Sequence, residues 1–232
     1  MSWRCFWKNI VKWKKYWRIE QSKNKPKIKM TKIIKDLATE KTVNGMQIPK
    51  RPKIKQGAFQ IYTGEGKGKS TASLGLMLRA LGSGMHVYYV RMLKPRWKTG
   101  ELKLCPENFH PNLTFRNVPH YWALCVSKTI PEDVETMKEK MEPEMEDLHE
   151  QVKSGKYDLI IADEINYCIY RGLLSVEKAI QIVEDRPKNV ELVFTGRYAH
   201  EELIGRADLV TEMKKIKHHF DKGIRARIGI EF

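Results

Sequence analysis

The chain has 232 residues, enough for one domain with an appendage and a buried core of useful size. Its net charge of +15 suggests a nucleic-acid partner until the charge is located: residues 1–56 hold 17 Lys/Arg against 3 Asp/Glu, and residues 57–232 hold 26 against 25. A nearly neutral core argues against the basic docking face that counterion release requires, and the four cysteines (Cys5, Cys105, Cys125, Cys168) show neither the C-x-x-C spacing of a zinc ribbon nor a disulfide framework, so the cytoplasm is the default compartment.

The basic extension divides in two. Residues 1–18 carry four of the six tryptophans, and Trp3, Phe6, Trp7, Ile10 and Trp17 share one helical face, with Arg4, Lys8, Lys12 and Lys15 largely opposite. Such a helix can lie on an anionic membrane surface. It has no apolar run or small-residue cleavage site of a secretory signal and is too charged to span a bilayer. The simpler reading is that residues 1–29 form an extension outside the working protein, with Met30 as the natural start and membrane contact arising only if 1–29 are genuine. Residues 30–56 read as an arm and linker, with a short helix over 31–43 (Ile33, Ile34, Leu37) and Pro49 and Pro52 beyond it.

The working domain, residues 57–232, opens on an apolar, β-prone run, Ala58–Tyr62, followed by Thr63-Gly64-Glu65-Gly66-Lys67-Gly68-Lys69-Ser70 and then a helical pattern. Strand, glycine-rich loop and helix are the context in which backbone N–H groups and a helix amino terminus cradle phosphate. Lys69 is placed to reach a phosphate as a point charge, and Ser70 to hold Mg²⁺ by its hydroxyl, with Thr71 next in the helix. The generic pattern has glycine at the first position, where this chain has Thr63. The helix is expected over Ser70–Leu81, with Leu74, Met77, Leu78 and Leu81 buried.

His86–Met92 is a near-continuous apolar run, as in a strand buried on both faces of a parallel sheet. A polar loop, Leu93–Pro106, leaves the strand's carboxyl end, where ligands bind in open α/β sheets. Leu113–Val118 reads as a short strand, followed by Tyr121 and Trp122, which spacing alone assigns to ordinary packing. Pro131–Gly155 is acidic and helical, with Pro143 expected to break or kink it. Tyr157–Ala162 then delivers Asp163-Glu164 at a strand's end, the arrangement that sets a carboxylate near a phosphate-loop cation. Ser175 caps a helix to about Arg186, and Val190–Thr195 is a strand ending in Thr195-Gly196-Arg197. That arginine suits a bidentate phosphate contact or, equally, a surface pair with Glu201 or Glu202. Leu209–Ile216 reads as a last long strand, and Lys217–Gly223 as a turn whose two histidines lack a third metal ligand.

These elements make an α/β chain with a three-layer P-loop nucleotide-binding core, a mostly parallel sheet and a basic N-terminal extension. The Thr63–Ser70 loop, Asp163-Glu164, Phe194-Thr195-Gly196-Arg197 and the C-terminal Lys217-His218-x-Phe220-x-x-Gly223-x-x-Ala226-x-x-Gly229-Ile230 resemble the P-loop type of ATP:corrinoid adenosyltransferases over about residues 57–232. The resemblance implies transfer of the 5′-deoxyadenosyl group of ATP to the cobalt of a reduced corrinoid (cob(I)alamin or cob(I)yrinic acid a,c-diamide), with triphosphate leaving. It implies a nucleotide contact at Thr63, Gly64, Glu65, Gly66, Lys67, Gly68, Lys69, Ser70, Thr71 and Arg197, with Lys69, Ser70 and Glu164 catalytic. Mg²⁺ would be held by Ser70, Asp163 and Glu164, and the corrinoid by Trp97, Tyr121 and Trp122. It also implies an electron-donor protein for Co(II) reduction, a homodimer, no nucleic-acid partner, and a segment before the loop that folds over the site, a role open to residues 31–56. Two readings compete: a P-loop nucleoside or small-molecule kinase, which would show an arginine-rich lid and an acceptor base, and a nucleic-acid-dependent ATPase using the basic arm.

Overall fold

The computed structural model describes residues 39–43, 46–93, 99–104, 109–118 and 134–231. The chain divides into two units, 1–37 and 38–232, and every described residue belongs to the second. In chain order its elements are β1 (Thr39–Val43), β2 (Met46–Pro49), β3 (Phe59–Thr63), α1 (Lys69–Gly82), β4 (Val87–Arg91), α2 (Gly100–Leu104), β5 (Leu113–Asn117) and α3 (Val134–Lys153). There follow β6 (Leu159–Asp163), α4 (Ile165–Tyr170), α5 (Val176–Glu184), β7 (Glu191–Thr195), α6 (Glu201–Ile204), β8 (Leu209–Glu212) and a 3₁₀ turn, His219–Lys222. No helix among the described residues is long and apolar enough to cross a membrane.

Six strands form one parallel sheet in the order β5-β4-β6-β7-β3-β8. Alternation along its central strands fills two layers of core. Leu159 and Ile161 of β6 face Met77, Ala80 and Leu81 of α1, while Ile160 and Ala162 face the layer that holds Met145 and Leu148 of α3 and Ala179 and Ile182 of α5. Strands buried on both faces cannot alternate apolar with polar, which is why β4 and β6 read as continuous apolar runs. The crossover from β3 to β4 carries α1 past β7 and β6, so the carboxyl ends of β3, β6 and β7 meet beneath the amino end of α1.

Four sequence expectations change. The helix expected over 31–43 is, where described, β1 of an antiparallel hairpin with β2; residues 31–38 lie outside the described residues. Thr42 and Val43 are β-branched, which favours a strand over a helix. Pro143 sits inside α3 without ending it. Its neighbourhood is exposed, so water can take the carbonyl it frees, while Met141, Met145, Leu148 and Val152 anchor the helix at intervals of three and four. Leu78, expected inside, is 63% exposed, and Ser73 takes the buried place. The last strand is four residues long, not eight, and all four are exposed.

The end of the arm is held far from the phosphate loop. Arg51 Nε donates to Asp158 Oδ2 at 2.8 Å, just before β6 begins, and Asp158 Oδ2 also accepts from the His86 N–H at 2.9 Å. Pro49–Arg51 therefore run along the amino ends of β4 and β6, opposite the loop, and this part of the arm does not cover the site of its own chain.

Candidate active site

Loop 64–68 leaves β3 and enters α1 at Lys69, with Gly68 as the helix cap at φ 126°, a backbone state that side chains other than glycine's resist. Gly66 is needed for a different reason. Its N–H donates to Met213 O at 2.6 Å, and a Cβ there would lie 2.5 Å from that same oxygen. Met213 N–H donates in turn to Thr63 O at 2.8 Å, so the segment following β8 supports the loop from outside. Lys69 is buried, and its ammonium donates to Gly64 O at 2.6 Å and Gly66 O at 2.8 Å, which holds the loop curled around the cation.

Thr63 belongs to the strand. It is buried, and its hydroxyl accepts from the Ala199 N–H at 3.2 Å, tying β3 to the turn after β7. A glycine at this position could not make that bond, which gives the departure from the generic pattern a structural use.

The two carboxylates at the end of β6 are separated by a single residue step. Asp163 is fully buried, and Thr195 Oγ1 donates to its Oδ1 at 2.6 Å. The same threonine oxygen accepts from the Glu164 N–H at 3.0 Å. Glu164 has φ 68°, an uncommon state for a residue with a side chain, and this turn brings it onto the cavity wall while Asp163 stays behind. Beneath α1, the Tyr89 hydroxyl lies 2.8 Å from Ser73 Oγ. Burial, and then the Asp163 charge, push its pKa well above the ordinary range, so it stays a neutral partner.

Glu65–Thr71, Glu164 and Arg197 line one cavity of about 810 Å³ at the carboxyl ends of the strands. Arg197 is exposed and has no ion pair with Glu201 or Glu202 among the described residues. Thr63, Gly64 and Asp163 do not reach the cavity, and Trp97, Tyr121 and Trp122 lie outside the described residues.

Two groups to which the sequence reading gave no site role complete the wall. One is the C-terminal segment, including His219, Arg225 and Glu231. Lys67 Nζ donates to Glu231 Oε1 at 2.7 Å and to Ile230 O at 3.2 Å, so the segment is clasped to the phosphate loop. Arg227, and then Lys67, hold the Glu231 carboxyl far below its ordinary pKa. The other is Arg91, the last residue of β4 and only 1% exposed. Its Nη1 donates to Thr99 Oγ1 at 2.9 Å and lies 3.5 Å from Glu101 Oε1. The available signal was a charge closing an otherwise apolar strand at its ligand-facing end.

The donor set suits a hard, small cation. A hydroxyl at Ser70 and a carboxylate at Glu164 share the cavity, which fits Mg²⁺ bound by few protein oxygens together with substrate phosphates. Positive charge is concentrated around them in Lys67, Lys69, Arg91, Arg197 and Arg225. Such a site can bind a polyphosphate and stabilise its negative charge as it departs.

Comparison with known proteins agrees. Residues 55–232 match the family model described as ATP:corrinoid adenosyltransferase BtuR/CobO/CobP. A corrinoid adenosyltransferase of a Sinorhizobium species is 34% identical over 178 residues, covering 76% of this chain and 81% of that protein. That of Pseudomonas aeruginosa is 33% identical over 181 residues, covering 76% and 84%, and that of Escherichia coli K12 is 29% identical over 177 residues, covering 76% and 86%.

Proposed function

The chain belongs to the ATP:corrinoid adenosyltransferase family, and on that premise we propose how its own residues carry out the ATP-dependent adenosylation of a corrinoid. The observation that carries the reading is the meeting of the phosphate loop, Glu164, Arg197 and the C-terminal segment on one cavity. In the reaction, the electron pair of Co(I) forms the bond to C5′ of ATP. The C5′–oxygen bond breaks, and its electrons leave with triphosphate. Cobalt is oxidised by two electrons as the carbon accepts them, so no proton has to be moved and no general base is required.

The protein's part is positioning and charge. Lys69 opens from the loop carbonyls toward phosphate oxygen, and Lys67, Arg197 and the N–H groups at the start of α1 surround the remaining charge. Ser70 and Glu164 would hold Mg²⁺, which supplies further charge to the leaving triphosphate when bound. Asp163 orients Glu164 through the Thr195 hydroxyl. Trp97, Tyr121 and Trp122 are proposed to contact the corrinoid, the aromatics easing Co(II) reduction by displacing an axial ligand.

The same reading includes an electron-donor protein and a reducing, cytoplasmic setting in which Co(I) survives. It also includes a homodimer. Support for the dimer comes from β8, an exposed edge strand, with Leu209 43%, Val210 41% and Phe220 70% exposed along and after it.

Incubation with Mg-ATP and chemically reduced cobalamin tests the reaction. Adenosylcobalamin and triphosphate should form in equal amounts. Stoichiometric ADP would assign the site to a phosphotransferase instead.

A further inference from the structure

Arg91 occupies a position that packing alone does not explain. A guanidinium has five N–H donors, and a buried one is costly unless they are satisfied. Here Nη1 is bonded to Thr99 Oγ1, while Nε and Nη2 are buried without a hydrogen-bond partner among the described residues. The balancing charge, Glu101, stands 3.5 Å from Nη1, beyond a good hydrogen bond, and its side chain is 26% exposed. Glu101 lies in the first turn of α2, a helix of five residues.

The place of Arg91 in the sheet matters as much. It pairs in register with Asp163 of the neighbouring strand, so the ends of β4 and β6 bring Arg91 and Glu164 to one cavity with Lys69 and Ser70. Two adjacent strands thus present a cation and a carboxylate to the mouth that the phosphate loop closes.

We propose that Arg91 is a binding residue for the polyphosphate, turning its buried, unpaired Nε and Nη2 edge to a phosphate oxygen as its pairing with Glu101 at Nη1 is given up. The proposal rests on the adenosyltransferase reading and extends it to a residue outside the phosphate loop. The fork of the guanidinium matches two phosphate oxygens, and phosphate brings more negative charge than the single, poorly aligned carboxylate it replaces. Glu101, already partly in solvent on a short helix, has little to lose when released. Glu101 is therefore a counter-charge that keeps the buried arginine tolerable between turnovers and competes with the ligand.

Competition has a signature that a structural arginine lacks. Binding of inorganic triphosphate with Mg²⁺ to the full chain is measured by titration calorimetry. Glu101→Gln should tighten it about three- to tenfold, because the rival carboxylate is gone. Arg91→Gln should weaken it roughly ten- to hundredfold, the scale of a charge-assisted contact. Arg91→Lys, which keeps the charge and loses the fork, should restore only part of the affinity. In the Arg91→Gln background the gain from Glu101→Gln should vanish.

If Arg91→Gln fails to fold, the single variant at Glu101 still decides. Unchanged or weaker triphosphate binding by Glu101→Gln overturns the proposal, as does a gain that persists without Arg91. A wild-type chain that binds no triphosphate overturns the assignment of this cavity as the polyphosphate site and this proposal together. Normal wild-type binding with indifference at Glu101 overturns the proposal alone.

Discussion

β6 and β8 are short strands of one parallel sheet, and both lead into the same cavity, yet they are built on opposite terms. All five residues of β6 are buried, and the strand stops in Asp163-Glu164 with its hydrogen bonds taken on both sides by β4 and β7. All four residues of β8 are exposed, and among the described residues only β3 pairs with it. β6 holds one carboxylate rigidly and aims the next. β8 delivers Met213, whose backbone props the phosphate loop, and then a segment that folds across the cavity with little of itself inside. The site is thus rigid where charge must be placed accurately and lightly held where substrates must enter.

The contrast is most directly broken by trimming one aliphatic side chain on each strand. Ile160→Ala removes a fully buried side chain from the middle of β6 and should cost about 2–5 kcal/mol of stability in denaturant unfolding. Val210→Ala on β8 should stay within about 0.5 kcal/mol for the folded monomer. Val210→Lys sharpens the comparison further. A charge on an exposed edge should leave the fold intact and, if the proposed dimer forms through β8, shift the protein from dimer to monomer in sedimentation velocity. Equal destabilisation by the two alanine variants would show that β8 is as deeply supported as β6.

What the sequence disclosed follows the same division. β4, β6 and β7 were legible because strands buried on both faces must be apolar throughout, and α5 because Ser175 caps it, accepting from the Lys178 N–H at 3.1 Å. Loop and carboxylates were legible because their chemistry fixes residue type and spacing. Leu78 was misplaced because helical periodicity does not reveal how wide the buried stripe is, and Ser73 occupies the inner face through its bond to Tyr89. β8 was overextended because its apolar residues continue beyond the strand, while their exposure belongs to tertiary structure and assembly. Arg91 was hidden inside an apolar run, where a terminal charge looks like the run's end rather than part of a wall.

A smaller effect is expected in the phosphate loop, which the segment after β8 supports. Lys69→Ala removes the cation that folds the loop and that we propose meets the leaving phosphate. It should lower kcat/KM for ATP by about 2–4 kcal/mol in transition-state terms while circular dichroism stays native. Its buried ammonium bonds two loop carbonyls, so part of the loss should appear as weaker ATP binding. Near-normal turnover by the folded variant would remove Lys69 from the site.

The smallest effect belongs to the clasp between the phosphate loop and the C-terminal segment. Glu231 gathers Lys67 at 2.7 Å and Arg227 at 3.1 Å on a surface segment, and exposed pairs of this kind contribute little to global stability. Glu231→Gln should therefore leave the melting temperature unchanged. Its consequence is local: without the carboxylate, the segment over 217–231 keeps only the weaker Lys67–Ile230 carbonyl bond to the phosphate loop and should be cut faster by trypsin at Lys222, Arg225 or Arg227. Because the carboxyl's pKa is depressed in the folded chain, the clasp is complete above the ordinary carboxylate range and weakens only as pH falls through the lowered value. Wild-type cleavage should consequently show no clasp-dependent change near neutrality, where trypsin is active, and the variant should exceed it there by a constant factor. Bound Mg-ATP should narrow the gap, since a nucleotide in the proposed site would add contacts in place of the lost charge pairing. Equal cleavage rates with and without the substitution would show that the segment is held by its backbone turns alone and that the Lys67 pairing is incidental.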